Sequence, residues 1–133
     1  VQLWAGRRVF DSTRQCHRWY DLANTTWRDE AAVLLNAQVG TTYTFVLADA
    51  NGKVVTLSNA AAIALTVPTN AAVAIPIGTV ISLIQLGAGQ VTISGAGVTL
   101  RAPSGLKIRT QYSMATLVKI ATDEWVVSGD VVV

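Results

Sequence analysis

From about residue 39 to its end, the chain is a succession of short runs in which aliphatic and hydroxylated residues alternate. They read TTYTFVLAD (41–49), KVVTLS (53–58), IALTVP (63–68), TVISLIQLG (79–87), QVTISGAGVTLRAP (90–103), ATLVKIAT (115–122) and EWVVSGDVVV (124–133). An alternating pattern places successive side chains on opposite faces, which is the period of a strand. Val, Ile and Thr are also the residues that suit a pleated, half-buried surface. The motifs V-T-L, L-T-V, V-T-I and V-T-L at 55–57, 65–67, 91–93 and 98–100 each set a threonine between two aliphatics. Aliphatics inward and threonine outward is the plain reading. The sharper one is a threonine-rich face packed on a partner subunit, since threonine loses little side-chain entropy on burial.

Turn residues divide these runs. Ala50-Asn51-Gly52 predicts a tight hairpin, because Asn-Gly readily takes the positive φ values such a turn needs, and Asp49 is expected to cap it. Pro68, Pro76 and Pro103 end or border strands, having no N–H to give a ladder. Turn signals recur at roughly 8–12 residues, which predicts an all-β, antiparallel β-sandwich or jelly-roll-like domain rather than a βαβ fold. One stretch, Asn59–Ala64, reads as helical and is too short to alter the class.

Residues 1–30 have a different chemistry. They hold Trp4, Phe10, Trp19, Tyr20 and Trp27, and they set Arg7, Arg8, Arg14, Arg18 and Arg28 against Asp11, Asp21, Asp29 and Glu30. The break near 30–38 divides the chain into an N-terminal arm, 1–35, and a β-body, 36–133. In the arm, VQLWAGRRVF reads as a strand pair turning at Ala5-Gly6. Trp27–Leu35 reads as one or two helical turns with Thr25 or Thr26 as N-cap. Tryptophan and arginine are the residues that best anchor interfaces, so the arm is either a local minicore or a clamp on a neighbour.

Composition sharpens this picture. Hydrophobic residues make up 51% and charged residues 14%, against about 25% charged in average globular chains. A surface this apolar must be covered. No run of roughly 18 apolar residues lacks a polar interruption, so a spanning helix is not expected, and no signal-peptide pattern follows Arg7-Arg8. The remaining outlet is an oligomer interface. A net charge of +2 with scattered basic groups gives no stripe for nucleic acid.

Catalytic and metal-binding signatures are sparse. Cys16 and His17, single in the sequence and adjacent, point to opposite faces of a strand and match no CxxC or HxxxH spacing. There is no GxSxG and no GKS or GKT motif. The body holds four carboxylates, Asp49, Asp123, Glu124 and Asp130; Asp123 or Glu124 with Asp49 is the one pairing open to acid–base work, and loop carboxylates are usually just solvated. No enzymatic activity, cofactor or metal is therefore expected. Arg101, Lys107 and Arg109 gather around the Pro103–Gly105 turn, followed by Gln111 and Tyr112. They form either a solvated edge or a contact for sugar or an acidic neighbour. Trp125 reads as a core anchor.

The ordered segments TYTFVLAD, LTVP, PIGTVISLIQLGAGQVTI, GVTLRAPSGLKIRTQYSMATLVKI and DEWVVSGDV resemble a β-domain of tailed-bacteriophage virion proteins. That domain is found in capsid decoration or head-fibre proteins and in the C-terminal modules of tail fibres. The resemblance covers about residues 40–131 and implies a homotrimeric, non-catalytic module on the exterior of the particle, preceded by a variable attachment segment. The expectation is a capsid decoration (cement) protein. Its arm would bind the major capsid protein through Trp4, Arg7, Arg8, Phe10, Arg14, Arg18, Trp19 and Trp27. The absence of a long shaft favours this over a fibre. The alternative is a distal tail-fibre or tail-spike domain holding a host-surface glycan or protein with Arg101, Lys107, Arg109 and Tyr112. Neither nucleic acid nor membrane is an expected partner.

Overall fold

The computed structural model describes residues 8–12, 16–21, 26–29 and 33–133. The chain divides into two compact units, Val1–Val33 and Leu34–Val133. In the first, strands β1 (Arg8–Asp11), β2 (Cys16–Asp21) and β3 (Thr26–Asp29) form an antiparallel three-stranded sheet in that order. The helical turns expected over Trp27–Leu35 are not formed where the structure describes them, since Thr26–Asp29 is a strand. Val9, Phe10 and Trp27 are bulky and mostly β-favouring, which suits paired strands better than an isolated short helix. The strand pair expected at Ala5-Gly6 lies outside the described residues.

The second unit is all-β apart from one 3₁₀ turn, Leu47–Ala50. Its strands are β4 (Leu35–Gln38), β5 (Thr42–Thr44), β6 (Val54–Leu57), β7 (Ile63–Thr66), β8 (Val80–Gln85), β9 (Val91–Ser94), β10 (Thr99–Arg101), β11 (Lys107–Ile108), β12 (Met114–Ala121), β13 (Glu124–Gly129) and β14 (Val131–Val132). Six of them make one sheet, in the order β10-β13-β12-β8-β6-β4. The other five make a second, β14-β11-β9-β7-β5.

The register departs from the antiparallel expectation. Strands β4, β6 and β8 are parallel neighbours, Leu35 facing Val54 and Val54 facing Ser82. Strands β5, β7 and β9 repeat this in the other sheet, Thr42 facing Ala64 and Ala64 facing Thr92. The chain thus makes three successive passes, over 35–44, 54–66 and 80–94. Each pass lays one strand in each sheet and stacks on the pass before it, in a solenoid-like arrangement. Only the last third is largely antiparallel: β12 pairs with both β8 and β13, and β11 with β9 and β14. Short β10 returns to a parallel pairing with β13.

Asn51-Gly52 consequently closes no hairpin. The residues before it, Leu47–Ala50, form the 3₁₀ turn, and Gly52, at φ 70°, swings the chain back to start the second pass. Its left-handed conformation is the one the sequence signals, used at a corner between sheets. Asp49 caps the start of the 3₁₀ turn, accepting from Val46 N–H at 2.9 Å, and not the Asn-Gly turn. The stretch expected to be helical, Asn59–Ala64, is a loop followed by the start of β7.

One core lies between the two sheets. It contains Val55, Leu57, Ile81, Leu83, Leu117, Trp125 and Val127 from the larger sheet, and Ile63, Leu65, Val91, Ile93, Ile108 and Val131 from the smaller, with Phe45 and Ile75 from connections. Each such side chain contributes roughly 1.5–3 kcal/mol through burial. Trp125 takes the core position its sequence suggests.

Glycines allow the passes to stack closely. Gly87 and Gly89 lie against the backbone of Asn59–Ala61, with Gly89 N–H donating to Asn59 O at 2.8 Å. A Cβ on Gly89 would collide with the Ala61 carbonyl. Buried Gln85 braces the same corner: its Oε1 accepts from Val91 N–H at 3.0 Å and its Nε2 donates to Gly87 O at 3.2 Å.

Candidate functional site

The outer face of the six-stranded sheet is the most unusual surface of the second unit. Alternation sends every second residue of each strand away from the core. The registers align these outward residues into rows across the strands. One row runs Leu35, Val54, Ser82, Thr116, Ser128. The next runs Ala37, Thr56, Ile84, Met114, and a third runs Val80, Val118, Val126, Arg101. Ile120 extends the face beyond Val118 along β12. Leu35 is 67% exposed, Val80 49%, Met114 48% and Ile120 47%. Charge enters only at the far edge, where Arg101 Nε meets Glu124 Oε1 at 2.7 Å.

The other sheet is richer in hydroxyls and poorer in large aliphatics. Its outward rows are Thr42, Ala64, Thr92, Lys107, Val132 and Thr44, Thr66, Ser94. This surface of hydroxyls is compatible with water. The threonines of the repeated V-T-L-like motifs, Thr56, Thr66, Thr92 and Thr99, lie on the side of their strands away from a core that holds Val55, Leu57, Leu65, Val67, Val91 and Ile93, although Thr56 is itself buried, at 4% exposure.

The basic residues grouped by sequence do not make one cationic patch. Arg101 belongs to the larger sheet and is paired with Glu124. Lys107 is half-buried on the smaller sheet. Arg109 pairs with Asp130, which also accepts from Ser113 Oγ at 2.6 Å. Those two contacts, the Ser113 hydroxyl first, hold the Asp130 carboxyl below its ordinary range. Tyr112 stands apart at 72% exposure and φ 67°, its N–H tied to Gln85 O at 2.6 Å. A bulky residue in the left-handed region is an outlier that marks strained or functional loops.

Every carboxylate of the second unit has a partner within the fold. Besides those two ion pairs, Asp123 accepts from Asn70 N–H. Asp49 is completely buried and takes Asn36 Nδ2 at 2.7 Å, Tyr43 OH at 2.8 Å and the Val46 amide. Burial, reinforced by the Asp49 carboxylate, pushes the Tyr43 hydroxyl up to about 12. Lys119 is 2% exposed, and its Nζ donates to Asn70 Oδ1 and Ile75 O, both at 2.8 Å. It lies 5.8 Å from the centre of the Trp125 ring. These groups fix loops to the core. Among the described residues no three of His, Cys, Asp and Glu gather as a metal site, and no helix is long and apolar enough to cross a membrane. An open cleft of about 410 Å³ near the C-terminal residue is lined mainly by Ile93, Leu100, Ala102 and Leu106, with Lys107 at its side.

In the first unit, Trp4, Arg7 and Arg14 lie outside the described residues. Arg8 and Trp19 are backbone partners in the β1–β2 register, and Phe10 is exposed. Arg18 and Trp27 come together: the guanidinium lies 6.0 Å from the indole centre and donates to Trp27 O at 3.1 Å, and a second branch reaches Asp11 at 3.4 Å. Tyr20 meets Trp27 edge-on at 5.4 Å. These contacts make a local cluster of Arg18, Trp27, Tyr20 and Asp11.

The outward aliphatic face was not singled out from sequence, although a signal for it exists. Val80–Gln85 and Met114–Ala121 carry aliphatics on both faces, interrupted outward only by Ser82 and Thr116, a pattern close to that of strands covered on both sides. No family model matches the chain. No curated protein matches it either.

Proposed function

We propose that this chain is a structural protein of a tailed-bacteriophage virion, a capsid decoration protein that sits as a homotrimer on the outside of the head. The observation that carries the reading is the broad, largely aliphatic sheet face, charged only at its edge by the Arg101–Glu124 pair, on a body whose carboxylates are all engaged internally. Such a body is suited to assembly and not to acid–base chemistry. In this reading the β-body makes the trimer and Val1–Val33, with its aromatic and arginine residues, grips the major capsid protein. The sequence resemblance over residues 40–131 supports it. Immunogold labelling of virions with antibody to this chain tests it. Label over the head is expected, and particles without label overturn the proposal. Removal of residues 1–35 is expected to release the protein from heads.

One observation favours a second reading, a receptor-binding fibre tip. Tyr112 is an exposed aromatic held in a strained backbone conformation, the kind of residue that stacks on a sugar ring. Label confined to the tail, with host-cell binding lost in Tyr112→Ala, would favour it.

A further inference from the structure

We infer that the outer face of the six-stranded sheet is the surface through which copies of this chain bind one another, the occupant being a second copy. The inference deepens the reading of the body as a self-assembling module and rests on it. Three independent observations support it.

The first is the two-sided apolar character of β8 and β12. Strands open to water on one face alternate polar with apolar, as Thr42–Thr44 and Val91–Ser94 do. Val80–Gln85 and Met114–Ala121 instead carry aliphatics outward at Val80, Ile84, Met114, Val118 and Ile120, with Ser82 and Thr116 the outward hydroxyls between them. That is the composition of strands buried on both sides.

The second is charge. A surface that meets a copy of itself must hold no like charges in register. The three rows hold no ionisable side chain except Arg101, and that one is neutralised by Glu124 at the edge. A partner of different chemistry, such as an acidic peptide or a nucleic acid, would find there only Arg101, already paired with Glu124.

The third is area. Five inter-strand spacings of about 4.8 Å, and strands averaging about five residues at about 3.4 Å each, give a footprint of roughly 400 Å². The relief of the side chains makes the accessible area larger. A specific interface needs about 500 Å² from each partner at the least and about 800 Å² typically. With that relief the face comes to the lower end of this range. Three copies with these faces turned toward a common axis would form a prism with the hydroxylated sheets outside.

The test is solution mass at micromolar concentration, measured by sedimentation, for the full chain and two variants. Val80 and Met114 are about half exposed, so Val80→Lys with Met114→Lys leaves the core untouched. This double variant is expected to weaken association by about a hundredfold or more and to sediment as a monomer. Thr92→Lys, on the hydroxylated sheet, is expected to keep the wild-type mass. Circular dichroism confirms folding, and if the double variant does not fold, Ile120→Lys replaces it. A monomeric wild-type chain overturns the inference, including one whose face becomes accessible to an apolar dye only after residues 1–33 are deleted. An oligomer that survives the lysines overturns it too, as does one that dissociates with Thr92→Lys. The outcome is separable from the virion assignment. Labelled particles with an oligomer that tolerates the lysines would remove this face alone, and unlabelled particles with a lysine-sensitive oligomer would remove the virion role alone.

Discussion

Asp49→Ala is the most direct probe of how the first two passes are held together. The carboxylate is fully buried and accepts from Asn36 Nδ2 of β4, from Tyr43 OH of β5 and from the Val46 amide that opens the 3₁₀ turn. It therefore links a strand of each sheet to the corner between passes. A hydrogen bond to an ionised acceptor contributes about 1.5–3 kcal/mol, so three of them set an upper bound of roughly 5–9 kcal/mol. Part of this is recoverable. Asn36 and Tyr43 are half-buried and already bonded to each other at 2.7 Å, and Val46 can reach water. A net loss of about 3–5 kcal/mol is expected, large against a typical total of about 5–15 kcal/mol. The assay is urea unfolding followed by circular dichroism and tryptophan fluorescence. The midpoint should fall by roughly 1.5–3 M at unchanged slope, and the melting temperature by more than about 12 °C. Asp49→Asn keeps the shape but turns an NH₂ toward one of three donors, and should cost about half as much. A loss below about 1 kcal/mol for Asp49→Ala, with a normal slope, would refute the idea that this carboxylate anchors the corner.

Tyr43 gives a pH test. Its hydroxyl is raised to about 12 in the fold against about 10 in the unfolded chain, so the folded state keeps a proton that the unfolded state releases. The associated stability is complete below about pH 10 and disappears as pH rises toward about 12; Tyr43→Phe should flatten urea midpoints across that window. Gly89→Ala should destabilise by about 2–4 kcal/mol because its Cβ meets the Ala61 carbonyl, whereas Gly52→Ala, with open space but φ 70°, should lose only about 1 kcal/mol in the same melts. Lys119→Met fills a similar volume but leaves the Ile75 carbonyl and the Asn70 side chain without their donor, and should cost about 2–4 kcal/mol by urea unfolding.

The strands of the body are legible in the sequence because a period of two is visible in runs such as IALT and VTIS. The inward set is legible for the same reason. What the alternation does not carry is the identity of the neighbour: Val54 reads alike whether it faces a hairpin partner or Ser82 of the next pass. Asn51-Gly52 reports a left-handed residue and nothing about which sheet the chain enters afterwards. The basic cluster misleads in a similar way. Arg101 and Arg109 are near each other in sequence, but Glu124 and Asp130, which neutralise them, come from β13 and the turn after it. Asn36 and Asn70 carry no signal at all, since an amide becomes a structural joint only once Asp49 or Lys119 is brought beside it. The aliphatic face lies between these cases. Its residues are conspicuous in TVISLIQLG and ATLVKIAT, yet only the register shows that they form continuous rows.

The stacking of passes also governs how the molecule comes into being. Leu35 waits for Val54, Val54 for Ser82, and Leu100 for Trp125, so nearly every pairing closes a long loop, and such topologies fold in milliseconds to seconds. During synthesis β8 must wait for β12, which leaves its aliphatic edge bare until the last quarter of the chain has left the ribosome. A product broken off after Ser94 would carry that edge permanently, and its fate would be clumping with its own kind.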